Sequence, residues 1–590
     1  MKKYLKMRLF PILICCLLSQ ILVAQGNWKS KVEATILSKY DHQERQSFIV
    51  LLSQQSNTKT PKSWTKSEKG NYVFETLIQN RDLSQKKITS ILDNQYLKYQ
   101  SFYIYNAILV KAATKDQLEY IANEPSVNRI IVDFDLKYHA PIAQITNNNR
   151  GIFNWGISMI QADSVWEMGI KGDGVVIGGQ DTGYDWTHPA IKSKYRGYDT
   201  TNQQINHNYN WHDAIHESNP IYPDSIKNPC GFNLKAPCDD NSHGTHTMGT
   251  MVGSLIDNGA TIGIAPNAKW IGARNMDRGW GKLSTYLEAF EWLLAPTDTS
   301  GNNPKPLLAP HVINNSWYCS LEEGCNPSNW GIMDTVMNTL RDAGIVVVIS
   351  AGNSGGACGT VTGPPALFQN SFAVGATAIN DTIAGFSSRG PVFYNNIKYN
   401  KPNVSAPGVD IPSSVPNGGY SSYSGTSMAG PHVAGAVALI ISANPSLAGN
   451  VDLIEQILEE TADPKTTIQD CDTILGNNIP NAVYGYGRIN VYKAVKKALK
   501  ITKNNELSVN NILIYPNPTN SILFVEKSIN FDEEILIEIY NQIGQIVQKT
   551  YKDLSVTTSC EINVEQLPKG LYTILITSKQ SIYKGKFIKN

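Results

Sequence analysis

An Asp-Thr-Gly triplet, Asp181–Gly183, sits inside "GGQDTGYDWTHP", directly after the apolar run "VVI". Three readings compete for such an aspartate: half of an aspartic-protease dyad, one member of a serine triad, or a turn that only closes a strand. A dyad needs two carboxylates sharing one proton, and therefore a second Asp-Thr/Ser-Gly element. The sequence holds no twin of Asp181, which removes the dyad. Downstream, "DDNSHGTHTMGTMVG" spaces His243 and His246 as neighbours on one helix face. The two could share a metal, could be core histidines held by hydrogen bonds, or His243 could be a general base. No glutamate stands between them and no further ligand is evident, so the metal reading is the weakest. Farther on, "YSGTSMAGPHVAGAVALIISANP" puts Ser427 at the head of an apolar helical run, near N–H groups that a first turn leaves unbonded. A serine there also serves as a plain N-cap. The weighing changes with the combination: Asp, His and Ser follow in that order, each in a glycine-bearing motif, and together they are the parts of an acyl-transfer triad.

The elements around these residues define the scaffold. From about Trp155 to Leu499, Val/Ile-rich runs such as "GVVIGG", "KWIGAR", "HVINNS" and "AGIVVVISAG" alternate with longer helical stretches. Continuous apolar strands separated by helices predict an α/β fold with a parallel sheet covered on both faces. Chemistry in such sheets gathers at the carboxyl ends of strands, where both Asp181 and Asn353 fall. Ahead of this region, residues 47–135 read strand, polar loop, helix, two strands, helix, strand, with a capping box at Thr114 and Gln117. That βαββαβ order predicts a ferredoxin-like α+β domain. The polar stretch "PIAQITNNNRG" after it reads as an exposed linker, and cleavage is expected between Lys137 and Asn154. From Ile512 onward, strands alternate with turn residues and no helix, which predicts a small β-sandwich.

The motifs "DTGYDWTHP", "HGTHTMGTMVG" and "GTSMAGPHVAG" resemble the three active-site motifs of the subtilisin family of serine endopeptidases. "IGIAPNAKWIGAR", "VINNSW" and "FSSRGP" are similar to its bacillopeptidase F-like branch. The resemblance implies a peptidase domain over 150–500, with Asp181 orienting His243, His243 as base and Ser427 as nucleophile. It also implies Asn353 in the oxyanion hole and Ser316, Trp317 and Tyr318 along the substrate, with Tyr318 replacing a glycine of most relatives. Residues 46–137 resemble the family's inhibitory propeptide, which makes the chain a zymogen. "NILIYPNPTN", "IYNQIGQIV" and "LPKGLYTILI" make 511–590 similar to the C-terminal sorting domain of type IX secretion substrates. No cofactor is required. Calcium is not carried over, because Ala190 stands where the family's strong site usually has an aspartate after His-Pro. The competing reading, from another class, is a catalytically inactive surface adhesin on a protease scaffold.

The rest of the chain bounds where such a protein works. "MKKYLKMR" followed by "LFPILICCLLSQILVA" has the basic and apolar layout of a cleaved signal peptide over 1–24. The mature form is expected to lack a membrane span and to be exported through the periplasm to the surface or medium. With 590 residues, a net charge of +1 and a pI near 7.5, no global field draws it to nucleic acid. Its partners are then protein substrates, its own propeptide and the secretion machinery. Of nine cysteines, two leave with the signal. Cys230 with Cys238 and Cys319 with Cys325 form close pairs suited to oxidation; Cys358 and Cys471 could form a third bridge that would leave Cys560 free, but sequence alone does not fix the connectivity. Three histidines in "NHNYNWHDAIHESNP", His207, His212 and His216, read as an exposed loop rather than as metal ligands.

Overall fold

The structure is a computed structural model that describes residues 28–137, 142–144, 154–218, 228–254, 261–321, 323–501, 508–512, 514–525, 534–553, 560–577 and 581–590. The signal segment lies outside these residues, as does most of the linker where cleavage is expected. The chain divides into two compact units, Met1–Lys500 and Ile501–Asn590.

After a short 3-10 turn (Trp28–Lys31) and a short helix (Ala34–Lys39), the first unit has strand β1 (Gln46–Leu52), helices α1 (Lys66–Ser84) and α2 (Lys86–Asn94), strands β2 (Lys98–Phe102) and β3 (Ala107–Ala113), helix α3 (Lys115–Ala122) and strand β4 (Val127–Ile131). The strands form one antiparallel sheet in the order β2-β3-β1-β4, the ferredoxin-like arrangement. The capping box of Thr114 and Gln117 starts α3. Helix α1 corrects the sequence reading, which had a polar loop there. Its sequence is polar along most of its length and buries only Lys69, Gly70, Val73 and Leu77, so no apolar period advertises it. Its start signal is another capping box, Thr65 with Glu68.

The same unit continues with β5 (Val176–Asp181), β6 (Trp211–Asp213), α4 (His243–Val252), β7 (Lys269–Arg274), α5 (Leu283–Leu294), β8 (Val312–Asn315), α6 (Trp330–Asp342), β9 (Val346–Ser350), β10 (Phe372–Thr377), β11 (Val404–Pro407), β12 (Ile411–Val415), β13 (Gly419–Ser424) and α7 (Thr426–Ala443). Strands β6-β7-β5-β8-β9-β10-β11 form a seven-stranded sheet, parallel throughout. Every residue of β8, β9, β10 and β11 is buried, as a sheet covered on both faces requires. After β5 the chain runs out to the edge strand β6, comes back to β7 beside β5, and then crosses to the other side of β5 with β8. That reversal leaves a crevice at the carboxyl ends of β5 and β8.

Helix α7 is apolar on all sides and is the one described helix with the length and apolarity to cross a bilayer. It is 89% buried inside the unit, so it is the central helix of the core. The N-terminal sheet turns one face onto the large sheet's helices: Leu51, Phe102 and Leu109 share a core with Leu283, Leu287 and Phe290 of α5. The backbone N–H groups of Tyr103 and Ile104 both donate to Glu291 on α5, the second at 2.8 Å. Asp135–Lys137 pairs antiparallel with Trp280–Lys282, and Ile142–Gln144 pairs antiparallel with the end of β13.

The second unit packs a five-stranded sheet against a three-stranded one. Leu523, Val525 and Ile562 from the smaller sheet share a core with Ile537, Ile574 and Phe587 from the larger, which makes a β-sandwich. Disulfides join Cys230 to Cys238, Cys319 to Cys325 and Cys358 to Cys471. The side chain of Cys560 lies outside the described residues.

Candidate active site

Asp181 is the last residue of β5 and His243 the first of α4; both side chains are almost fully buried. His243 Nδ1 lies 2.7 Å from Asp181 Oδ1, which also accepts the Thr182 N–H at 2.7 Å. A carboxylate on Nδ1 fixes the imidazole so that Nε2 is the nitrogen left to exchange protons. The turn after Asp181 requires Gly183, whose φ is +110° and where a Cβ would fall 1.8 Å from the Cys238 carbonyl oxygen.

Asp239, which the sequence reading passed over, ties these two elements together. One of its carboxylate oxygens accepts the Thr182 hydroxyl at 2.8 Å and the N–H groups of Asn241 and Ser242 at 3.0 and 2.9 Å. The other accepts the N–H of Thr245 at 3.0 Å and its hydroxyl at 2.6 Å. Thr182 in turn accepts the Gly244 N–H at 3.1 Å. The end of β5 and the first turn of α4 thus share one buried carboxylate, whose burial pushes its pKa up. No sequence pattern marks it, because Asp239 lies four residues before His243 and the N-cap position is held by Ser242.

Ser427 is the second residue of α7, so its N–H belongs to the first-turn donors that a helix does not satisfy itself. Its hydroxyl donates to the Ser316 carbonyl at 3.1 Å. Tyr423, on the strand leading into Ser427, meets the hydroxyl of Ser242 at 2.8 Å, just before His243. This contact draws the start of α4 toward the start of α7. Asn353 follows the end of β9, and its Oδ1 receives both the N–H and the hydroxyl of Thr426 at 2.9 Å. A backbone donor must meet the oxygen of the amide, so Nδ2 is the end left to donate elsewhere.

Ser316, Trp317 and Tyr318 follow β8 at the same edge of the sheet. The Ser316 hydroxyl is buried and donates to the Ser427 carbonyl at 3.0 Å. The Trp317 indole is buried against Tyr286 and Phe290, with ring centroids 4.1 and 6.2 Å apart, so this residue has its backbone rather than its ring to offer along a substrate. The Tyr318 ring is half-buried over Gly352 and Gly363, its hydroxyl 3.4 Å from Ser354 Oγ. That places an aromatic wall beside Asn353.

The remaining histidines resolve into structure. His246 Nε2 lies 3.0 and 3.1 Å from the carbonyls of Ile411 and Ser421, and its ring stacks on Tyr423 at 4.3 Å. Burial pushes its pKa down to about 3, which makes it a neutral core residue. The segment with His207, His212 and His216 is not an exposed loop: Trp211 is buried in β6, and His212 and His216 both contact Glu288 of α5, at 2.8 and 2.9 Å. Among the described residues, no group of three or more His, Cys, Asp or Glu is arranged to hold a metal.

A parallel α/β sheet with an Asp–His pair at one strand end, a serine at a helix start and an asparagine beside it defines a serine-type endopeptidase domain. The family model described as the subtilase family matches residues 172–487, and the chain belongs to that family. Bacillopeptidase F of Bacillus subtilis (strain 168) is 34% identical over 503 residues, 79% of this chain and 32% of that protein. The chain therefore spans about a third of the length of that relative. Subtilisin E of the same organism is 29% identical over 418 residues, 70% of this chain and 87% of its own length. An alkaline protease of Alkalihalobacillus alcalophilus is 30% identical over 373 residues, 63% of this chain and 77% of that protein. Residues 513–590 match a model described as a secretion system C-terminal sorting domain.

Proposed function

We propose that the chain is a secreted serine endopeptidase, made as a zymogen, that hydrolyses peptide bonds in proteins through Asp181, His243 and Ser427. The observation that carries this reading is the buried 2.7 Å contact between Asp181 and His243 beside the helix start bearing Ser427. Ser427 Oγ attacks the scissile carbonyl while His243 Nε2 takes its proton, and Asp181 stabilises the imidazolium. The oxyanion draws on the Ser427 N–H and Asn353 Nδ2. Collapse of the tetrahedral intermediate expels the amine, which leaves with the proton held by His243, and an acyl-enzyme remains. Water repeats the sequence and releases the acid. Each proton and each developing charge has a group of this chain assigned to it, so the steps ask for no cofactor.

Residues 46–137 act as the inhibitor in this reading, supported by the two N–H groups they place on Glu291 and by the strand Asp135–Lys137 along Trp280–Lys282. The C-terminal sandwich serves as the address read by a type IX secretion machinery, supported by the match over 513–590. Purified Ser427→Ala tests the catalytic reading. Its kcat is expected to fall by about a millionfold, the scale of nucleophile loss in this chemistry, and near-normal turnover contradicts the assignment. Deleting Ile512 to Asn590 tests the address. The truncated protein is expected to stay in the periplasm, and normal amounts in the medium contradict that role.

A further inference from the structure

The N-terminal domain grips the catalytic unit at two opposite edges of the large sheet. Trp280–Lys282 follows β7 and so lies at the carboxyl edge, the edge where Asp181, Ser316 and Asn353 sit. The second grip uses Thr58 to Lys69, the segment between β1 and the first turns of α1. Its partners precede strands rather than follow them: Ala309 comes before β8, and Asp342 comes before β9. This arm therefore docks on the amino edge, a full strand length from the chemistry. A five-residue strand is about 17 Å long.

Five side chains of the arm make the contact. The Thr58 hydroxyl donates to Asp342 Oδ2 at 2.8 Å, and the Thr60 hydroxyl to the Asp342 carbonyl at 2.6 Å, closing the C-terminus of α6. Lys66 and Lys69 donate to the carbonyls of Ala309 and Gly449, each at 2.9 Å. Lys62 pairs with Asp452 at 2.8 Å. The backbones also meet closely: Gly449 has φ +90°, and a Cβ there would come within 2.8 Å of the Lys66 nitrogen. A cationic, hydroxyl-bearing segment thus lies on a surface made of carboxylates and carbonyls.

We propose that this amino-edge surface, formed by Ala309, Asp342, Gly449 and Asp452, is a second docking site for the chain's own prodomain, and that the Thr58–Lys69 arm sets how slowly the cleaved prodomain leaves. The proposal rests on the zymogen reading above. A prodomain held at two edges departs only when both grips are open together. While one holds, the other rebinds at high effective concentration. Cutting the linker frees neither grip.

The test follows the full-length chain after it has processed itself. The cut complex is purified and diluted, and the appearance of activity on a chromogenic peptide is timed alongside co-elution of the prodomain in gel filtration. Thr58→Val/Thr60→Val/Lys69→Met is expected to release the prodomain at least about tenfold faster than the unaltered chain, with the same final activity, since several hydrogen bonds, one to a buried cation, are removed. Lys62→Glu changes a side chain 82% exposed and is expected to leave folding intact. It is expected to speed release about twofold to fivefold, less so at high salt. Unchanged release in both variants overturns the second docking site. An unaltered cut complex that is fully active with its prodomain still bound overturns the zymogen reading itself, and the proposal with it.

Discussion

Ser316 and Ser427 are joined by two hydrogen bonds running in opposite directions. The Ser316 hydroxyl donates to the Ser427 carbonyl at 3.0 Å, and the Ser427 hydroxyl donates to the Ser316 carbonyl at 3.1 Å. The first bond has a cause in the sequence. Pro431 lies inside α7 four residues after Ser427 and has no N–H to give that carbonyl. Ser316 replaces the missing helical donor and so fixes the backbone of the nucleophile against the end of β8.

Ser316→Ala should therefore act on stability through a buried carbonyl left without its partner, at a cost of about 1–3 kcal/mol. Urea unfolding of the covalently inhibited enzyme reads this directly. The KM for a short peptide should change little, because the hydroxyl faces Ser427 rather than the substrate. A large rise in KM with unchanged stability would contradict the assignment.

Asp239→Asn replaces a carboxylate that accepts five hydrogen bonds by an amide with one acceptor and two donors. The amide must turn N–H groups toward N–H groups at the start of α4. A fall in kcat of about tenfold to a hundredfold, with KM within a factor of about three, is expected from displacement of His243. Asp239→Glu should not restore it, since one more methylene shifts both oxygens away from the five donors. Equal losses in kcat and in thermal stability, with a normal rate once corrected for folded protein, would reduce Asp239 to a structural role.

Burial holds His311 at about 4, and Val176 donates its N–H to His311 Nδ1 at 3.1 Å. His246 is pushed lower still, to about 3. Both remain neutral in the folded chain while the unfolded chain takes up protons below about 6.5. Their contribution to stability is thus present above that pH and is lost as the pH falls toward 4. His216 works the other way: its hydrogen bond to Glu288 raises it to about 9, so its contribution is present at lower pH and is lost as the pH rises through 9. Glu291, which burial pushes up to about 8, also opposes the first two. The clean measurement is a difference. His311→Gln should remove about 1 kcal/mol per pH unit from the slope of stability between pH 6 and 4.5, most of one proton's full slope. Identical slopes in variant and parent would refute the buried neutral state.

Tyr318→Gly should broaden acceptance of large residues before the scissile bond, because the ring covers Gly352 and Gly363 next to Asn353. Cleavage profiles on a peptide library decide it. Matching profiles before and after the substitution would remove Tyr318 from the specificity wall.

What the sequence disclosed and what it hid divide along physical lines. Short motifs carry chemistry locally, so Asp181, His243 and Ser427 stood out by residue type and order and Asn353 through the family resemblance, while the Val/Ile-rich runs of β5, β7, β8 and β9 announced a covered parallel sheet. The burial of the Trp317 indole was not legible, because a motif fixes where the backbone runs but not which way an indole turns, and here the core of α5 claims it. His212 and His216 looked like loop residues because their partner, Glu288, is far away in the chain. Helix α1 was missed because its stability comes from a capping box and from docking, not from an apolar stripe. Asp239 was missed because five modest hydrogen bonds leave no pattern in a single sequence.

Catalysis by this chain rests on Ser427 as the nucleophile activated by His243. Reaction of the processed enzyme with a fluorophosphonate probe, followed by peptide mapping in a mass spectrometer, tests this directly. The account predicts a single adduct on the peptide bearing Ser427, absent in Ser427→Ala and slowed by at least about a thousandfold in His243→Ala. An adduct on another serine, or equal labelling of Ser427 without His243, would contradict it.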